Sequence, residues 1–210
     1  MTTFSGTDLL CFRGERTVFA GLSFGMDAGD ALVLRGRNGS GKSTLLRLMA
    51  GLLKPEQGII NWSGENINEE PEDHNQRLHY VGHLDAVKAV LSVSENIQFW
   101  SELRGCEVNV PKALEVFGIG FLADVPGRFL SAGQKRRVNL ARIIATPAPL
   151  WLLDEPTTAL DADAIQALEK AIATHRQEGG MVVASTHSEL GLTGVETLNL
   201  DNFSIARSAA

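Results

Sequence analysis

The sequence predicts an α/β domain with a mainly parallel sheet, because short apolar runs alternate with helical stretches along the chain. Two runs, 150–153 and 181–185, are compact and apolar and lead into polar residues. Buried parallel strands have this pattern, and they present chemistry at their carboxyl ends. Four further runs are predicted as strands: 18–24, 31–34, 58–62 and 78–81. The runs 58–62 and 78–81 are expected at an edge or in a hairpin.

The middle of the chain, from about 85 to 137, is predicted to be mainly helical and to interrupt the sheet core. Ser92 and Ser131 each precede a Glu or Gln by three residues, which is the capping-box pattern of a helix start. Helices are therefore expected from 92 to about 104, from 111 and from 131.

Composition and charge exclude several classes of protein. The chain has 210 residues, 44% of them hydrophobic, so a globular core is expected without a disulfide or metal. Cys11 and Cys106 lack C-x-x-C spacing, so we expect two packed, reduced thiols rather than a zinc knuckle or a haem attachment site. The net charge of -6 argues against a protein that coats nucleic acid. We expect a cytoplasmic chain, because neither a leader nor a run of ~20 apolar residues stands out.

The strongest motif is Gly36-Arg37-Asn38-Gly39-Ser40-Gly41-Lys42-Ser43, which fits G-x-x-x-x-G-K-[ST]. It lies between an apolar run and a helical stretch, which is the context that a phosphate loop requires. The glycines let backbone N–H groups turn toward phosphate oxygens, while Lys42 reaches the outer phosphates and Ser43 ligates Mg²⁺. Together with Thr44, these residues form the predicted nucleotide site.

The apolar run that begins at Leu150 ends in two acids, Asp154 and Glu155. In a protein with a phosphate loop, one such carboxylate is expected at the metal and the other at the attacking water. We therefore predict Asp154 as a Mg²⁺ ligand and Glu155 as the general base or water-positioning residue.

The segment Leu130-Ser131-Ala132-Gly133-Gln134 resembles the signature sequence of ATP-binding cassette ATPases. A capping box alone would also explain Ser131 and Gln134, and both roles are compatible because a capped helix start is an anion site. The order of motifs along the chain is also that of the family. After the Asp-Glu strand come Ala159-Leu160-Asp161, which resembles the D-loop, and His187, which resembles the switch histidine.

The resemblance covers nearly the whole chain and implies one nucleotide-binding domain over 1–210. Its core would be a phosphate-loop NTPase with a mainly parallel sheet, an N-terminal antiparallel β subdomain and a helical insertion at 84–137. It also implies ATP and Mg²⁺ as ligands. Ser131, Ala132, Gly133 and Gln134 would bind the γ-phosphate of ATP held by a second copy, in a head-to-tail dimer. His187 would contact the γ-phosphate and orient water together with Glu155.

Two positions depart from the family pattern. His83 stands where the family places a glutamine that touches Mg²⁺ and water, and a histidine there can still accept from a metal-bound water. For the aromatic side chain that stacks on adenine, Phe12 is close to the expected place and Arg13 is closer, and either can cover a purine face.

The remaining histidines and the densest basic run match no motif of the family. We expect His74, His79 and His175 at the surface. The basic run Lys135-Arg136-Arg137 is expected to form a solvated face that steadies ATP or an acidic partner.

Within the family, the chain is most similar to the ATPase subunits of haem exporters in bacterial cytochrome c maturation. The segments that carry this likeness are Leu10-Cys11-Phe12-Arg13, Phe19-Ala20-Gly21-Leu22-Ser23-Phe24, Tyr80-Val81-Gly82-His83 and Ser131-Ala132-Gly133-Gln134-Lys135-Arg136-Arg137-Val138. The likeness implies a peripheral subunit on the cytoplasmic face of the inner membrane, bound to integral-membrane partners that dock near 84–90 and Trp100. Neither nucleic acid nor direct haem binding is expected.

Three alternatives remain open from the sequence. The chain could drive a transporter with a lipid, peptide or metal as cargo, because the cargo is recognised by other subunits. It could be a soluble cassette protein that acts on nucleic acid or ribosomes, although it has one cassette and no basic extension. It could also be a regulatory subunit that binds ATP without hydrolysing it.

Overall fold

The computed structural model describes residues 2–186 and 190–204, and its strands form two sheets. The strands are β1 (Thr3–Arg13), β2 (Arg16–Asp27), β3 (Ala31–Arg35), β4 (Gln57–Trp62), β5 (Glu65–Asn66), β6 (Leu78–Val81), β7 (Leu150–Asp154), β8 (Met181–Ser185) and β9 (Glu196–Asn199). The helices are α1 (Lys42–Met49), α2 (Pro71–Gln76), α3 (Val93–Leu103), α4 (Val110–Val116), α5 (Ala132–Ala145) and α6 (Ala162–Gln177). Short 3-10 turns lie at Gly120–Leu122, Gly127–Phe129 and Leu200–Phe203.

The larger sheet is parallel, with the strand order β6-β7-β8-β3-β9, and it confirms the predicted α/β core. Every residue of β7 and β8 is buried. Leu150 and Leu152 belong to the apolar core that includes α1, whereas Trp151 and Leu153 belong to the core that includes α5 and α6. Because both faces of these strands are covered, the sequence there is a continuous apolar run rather than an alternating one.

The smaller sheet is antiparallel, with the order β2-β1-β4-β5, and it forms the predicted N-terminal β portion. The run 58–62 lies in a hairpin with β5, whose two connecting residues, Ser63 and Gly64, both have positive φ (51° and 89°), as a two-residue type I′ turn requires. The run 78–81 is the edge strand of the parallel sheet. Strand β1 was not predicted, because its pairing with β2 shifts register between Gly6 and Leu9 and so breaks the alternation of apolar residues.

The middle of the chain contains the predicted helices. Both capping boxes are present, since Ser92 and Ser131 each accept from the N–H three residues on and donate their own N–H to that residue's side chain. The helix expected from 111 begins one residue earlier, after the cap at Asn109. Because α5 runs on to Ala145 and also contacts β6, the domain boundaries at 84 and 137 stay a prediction. Within the described ranges, no helix is both long and apolar enough to cross a membrane.

The expectation that three histidines lie at the surface is wrong. His74 and His79 are only 1% and 4% exposed, and the Nε2–H of each donates to a backbone carbonyl oxygen, at 2.8 and 2.7 Å. His175 is half-buried and stacks on the Trp151 ring, with 3.9 Å between ring centroids. Burial lowers the pKa of all three side chains, and it lowers the pKa of His79 to about 3.

Candidate functional site

The loop between β3 and α1 adopts the closed turn that the phosphate-loop motif predicts. The Lys42 ammonium donates to the backbone carbonyl oxygens of Gly36 at 2.8 Å and Arg37 at 3.3 Å. Gly41 has a φ of 106°, and a Cβ at that position would lie 2.6 Å from Val18 Cγ1. Only glycine fits there, since both the backbone conformation and the space exclude a side chain.

Two further features of this loop cannot be predicted from the motif. The Ser40 Oγ is buried and has no hydrogen-bond partner among the described residues, which is uncommon for a buried hydroxyl. The backbone N–H of Arg37 donates to both carboxylate oxygens of Asp201, at 3.2 and 3.3 Å. A residue 164 positions away in the sequence therefore fixes the start of the loop.

A cavity of about 440 Å³ lies against the phosphate loop. Its lining residues are Arg13, Arg16, Val18, Asn38, Gly39, Gly41, Lys42, Ser43, Thr44 and Glu155. Three cationic side chains and the N-terminus of α1 thus face a space that contains one acid, which is an arrangement suited to a polyphosphate. Most of the predicted nucleotide residues meet here, together with the predicted catalytic acid.

Several predicted residues are not among the residues that line this cavity: Gly36, Arg37, Ser40, Asp154, Phe12 and His83. The Phe12 side chain is 46% exposed, and of the two alternatives for adenine stacking only Arg13 lines the cavity. His83 is exposed in the segment that follows β6. His187 lies outside the described residues.

Asp154 and Glu155 lie at the carboxyl end of β7, where Ser185 of the neighbouring strand β8 forms hydrogen bonds with both. The Ser185 Oγ donates to Asp154 Oδ1 at 2.6 Å, and Asp154 is 3% exposed. The backbone N–H of Glu155 donates to the carbonyl oxygen and the Oγ of Ser185, at 3.0 and 3.1 Å. Glu155 has a φ of 47°, the left-handed region that non-glycine residues rarely adopt. Ser185 therefore fixes both acids, a role that the sequence did not reveal.

Arg136 does not belong to a solvated basic face, so the expectation for that run is wrong at this position. The residue is 3% exposed. Its guanidinium donates to the carbonyl oxygens of Asp154 and Glu155, both at 2.7 Å, and to that of Pro156 at 3.3 Å. A guanidinium offers five N–H donors in a planar fork, which suits a cluster of carbonyl oxygens.

The predicted signature and D-loop segments contact each other. A Cβ on Gly133 would lie 2.7 Å from the carbonyl oxygen of Ala159, so glycine permits this close approach. The Asp161 carboxylate caps α6 by accepting from the Ala164 N–H at 3.0 Å, and it also pairs with Arg137. None of the four signature residues is among those that line the cavity at the chain's own phosphate loop.

A second, larger cavity of about 700 Å³ lies between α5 and α6 and has mostly apolar walls. None of the predicted site residues lines it. The chemistry of the chain is therefore concentrated at the smaller, cationic cavity.

A phosphate loop between a parallel strand and a helix, beside a buried strand that ends in Asp-Glu, defines a phosphate-loop NTPase. The ABC transporter family matches residues 19–158, about two thirds of the chain. The chain belongs to this family of ATP-binding cassette proteins, and it is an enzyme that binds and hydrolyses ATP.

Individual proteins in this family are similar to the chain in sequence and in structure. The cytochrome c biogenesis ATP-binding export protein CcmA of Paramagnetospirillum magneticum is 56% identical, over 98% of this chain and 97% of that protein. The protein of the same name from Rhodospirillum rubrum is 59% identical, over 95% of this chain and 86% of that protein. Among solved structures, a putative ABC transporter ATP-binding protein from Pyrococcus furiosus superposes with a TM-score of 0.84 at 27% identity, covering 97% of this chain and 100% of the other.

Proposed function

We propose that the chain is the ATP-hydrolysing subunit of an export complex that delivers haem for cytochrome c biogenesis. The observation that carries this proposal is the identity of 56% and 59%, over 98% and 95% of the chain, to two ATP-binding export proteins of cytochrome c biogenesis. The intact phosphate loop and the Asp-Glu strand support ATP hydrolysis as the source of energy.

ATP binds in the 440 Å³ cavity, with its phosphates against the loop from Gly36 to Thr44. Lys42, which lines the cavity, neutralises the outer phosphates. Arg13 covers the purine by stacking, in preference to Phe12, because only Arg13 lines the cavity.

Ser43 and Asp154 are the residues that would hold Mg²⁺. Among the described residues no group of three or more His, Cys, Asp and Glu side chains is placed to hold a metal, but Mg²⁺ needs few protein ligands when phosphates and water complete its octahedron. The donor types suit Mg²⁺: Ser43 lines the cavity, and Asp154, which is buried and not among the lining residues, uses only Oδ1 to accept from Ser185. When bound, the ion would neutralise charge on the phosphate oxygens, and His83 would accept from one of its waters.

Glu155 accepts a proton from the attacking water as general base. Glu155 lines the same cavity as Lys42 and Ser43, and its backbone is fixed on both sides by hydrogen bonds. His187 completes this arrangement by contacting the γ-phosphate.

Two copies of the chain associate head to tail around two ATP molecules. Ser131, Ala132, Gly133 and Gln134 stand at the start of α5, where backbone N–H groups attract phosphate. Because they do not line their own chain's cavity, we assign them to the γ-phosphate held by the second copy. Asp161, whose segment contacts Gly133, lies at the same interface.

Integral-membrane subunits dock on the segment that follows β6. Leu84 and Val90 are 85% and 75% exposed, which is unusual for apolar side chains so close to each other in sequence. The chain is held in this way at the cytoplasmic face of the inner membrane. Haem itself contacts the membrane subunits rather than this chain, and nucleic acid is not a partner.

The test of the proposal is haem staining of c-type cytochromes in cells whose only copy carries Glu155→Gln. We expect the c-type signal to be lost while b-type cytochromes in the same membranes keep theirs. An unchanged c-type signal would contradict the haem assignment and leave an ABC ATPase with another cargo. Co-purification of membrane subunits with the wild type but not with Leu84→Glu tests the docking surface separately.

A further inference from the structure

Arg136 bridges two segments that meet at the start of α5. All five N–H donors of its guanidinium are used: three bonds go to the carbonyl oxygens of residues 154–156. The other two go to the segment after β6, to the carbonyl oxygen of Gly82 at 2.9 Å and to the Asp85 carboxylate at 3.3 Å. This is the full hydrogen-bonding capacity of an arginine.

The three bonds toward residues 154–156 hold the backbone at the proposed general base. Glu155 is in the left-handed region, which is sparsely populated and persists only when surrounding contacts hold it. Its N–H is held by Ser185 of β8, and its carbonyl oxygen is held by Arg136 of α5. The Thr158 N–H also donates to this carbonyl oxygen, at 3.2 Å within the turn that follows β7, whereas Arg136 ties it to α5.

The two bonds toward the segment after β6 tie that segment to the same guanidinium. Asp85 is half-buried and also accepts from the Asn139 amide at 3.3 Å, so both of its partners lie on α5. The segment continues directly into the exposed residues from Leu84 to Val90, where membrane subunits are proposed to dock. A displacement of this segment therefore pulls on Arg136.

We infer that Arg136 is a positioning residue that fixes the Glu155 carboxylate toward the phosphate-loop cavity and links it to the segment 82–85. This rests on the proposed role of Glu155 as general base. Arg136 does not line the ATP cavity, so it acts on the rate of hydrolysis through Glu155 rather than on ATP binding. Lysine cannot replace it, because an ammonium presents its donors from one point and cannot span two segments.

The test is the ATPase activity of the full chain, purified with the membrane subunits that bind it. Arg136→Lys keeps the charge, and we expect its kcat to fall about 10- to 100-fold while KM for ATP stays within about threefold. The matched control is Arg104→Gln, because Arg104 also donates to backbone carbonyl oxygens, those of Asn75, Gln76 and Leu78, but none at residues 154–156. We expect that control to lower the midpoint temperature of unfolding and to leave kcat within about twofold of the wild-type value.

A double-mutant cycle tests the link to the segment 82–85. Asp85→Asn removes one charged partner of Arg136 and leaves the contacts to residues 154–156 in place. We expect it to lower kcat about threefold on its own and to have no further effect in the Arg136→Lys background, because coupled contacts are not additive. Full additivity of the two changes would overturn the link.

Other outcomes overturn the inference in distinguishable ways. If Arg136→Lys raises KM for ATP at an unchanged kcat, Arg136 acts in binding and the positioning role is wrong. If Arg136→Lys and Arg104→Gln lower kcat equally, the effect is general destabilisation. If Glu155→Gln keeps wild-type turnover, the proposed general base fails and the inference fails with it. If Glu155→Gln is inactive and Arg136→Lys is normal, the inference alone fails.

Discussion

Ser185 Oγ donates a 2.6 Å hydrogen bond to Oδ1 of Asp154, and both residues are almost fully buried. The two lie opposite each other in the parallel pair β7–β8, at the strands' carboxyl ends. This bond sets the rotation of the carboxylate and engages only one of its two oxygens.

Ser185→Ala is expected to destabilise the fold by about 1–3 kcal/mol, because it leaves a buried carboxylate oxygen and the Glu155 N–H with fewer partners. Urea unfolding of both proteins measures this difference. Ser204→Ala is the matched control, since the Ser204 hydroxyl donates to the Asp201 carbonyl oxygen at an exposed site, and its effect should stay within about 0.5 kcal/mol. Equal effects of the two substitutions would contradict the prediction.

Gly133→Ala is expected to lower the free energy of unfolding by about 1–3 kcal/mol, because the new methyl group would lie 2.7 Å from the Ala159 carbonyl oxygen. The displacement of Ala159 by the new methyl group should also reduce ATPase turnover, since the segment leading to Asp161 must move. Gly120→Ala serves as the control, because a Cβ there meets nothing within 4 Å. If Gly133→Ala changes neither the free energy of unfolding nor ATPase turnover, the close approach to Ala159 is not needed.

Asp201→Ala is expected to raise KM for ATP about three- to tenfold, because the Arg37 N–H loses its acceptor and the phosphate loop is less fixed before ATP arrives. Steady-state ATPase kinetics provide the measurement. Asp73→Ala, which breaks only an exposed ion pair with Arg77, should leave KM unchanged. Equal KM values for Asp201→Ala and the wild type would refute a role in preorganisation.

Acidification is expected to destabilise the protein through His79. Burial, together with the positive charge of Arg104, lowers its pKa in the folded state from 6.5 to about 3. Between these values the unfolded chain binds a proton that the folded chain does not, so stability falls as pH falls. From pH 7 to pH 5 this one group removes about 2 kcal/mol.

The measurement is the free energy of unfolding at both pH values for the wild type and His79→Gln. The variant should lose less stability over this interval, whatever its stability at pH 7. Identical losses would mean that His79 does not titrate in the unfolded chain as expected. His74 and His175, whose pKa values burial also lowers, contribute equally to both proteins and cancel in the comparison.

The sequence predicted the parts of the molecule that depend on local patterns. Strand β8 has the predicted bounds, and β7 is one residue longer than predicted, because buried parallel strands are continuous apolar runs. The capping box at Ser92 was also predicted, since its two partners are three residues apart.

Features that depend on distant partners were not predicted. Arg136 is part of an ordinary basic run in the sequence, and its role follows from contacts to Gly82, 54 positions before it, and to residues 154–156. The burial of His79 depends on Thr146, 67 positions later. No local periodicity reports such contacts, because they are set by how the helices pack on the sheet.

The order of the parallel sheet has a consequence for biosynthesis. Strand β3, which leads into the phosphate loop, has β8 and β9 as its only neighbours in the parallel sheet among the described residues. Residues 36–43 leave the ribosome well before their sheet neighbours and the Asp201 carboxylate, which is 164 positions after Arg37. A nascent chain therefore gains a fully supported phosphate loop only after residue 201 has emerged, and nucleotide cannot stabilise the shorter nascent chain.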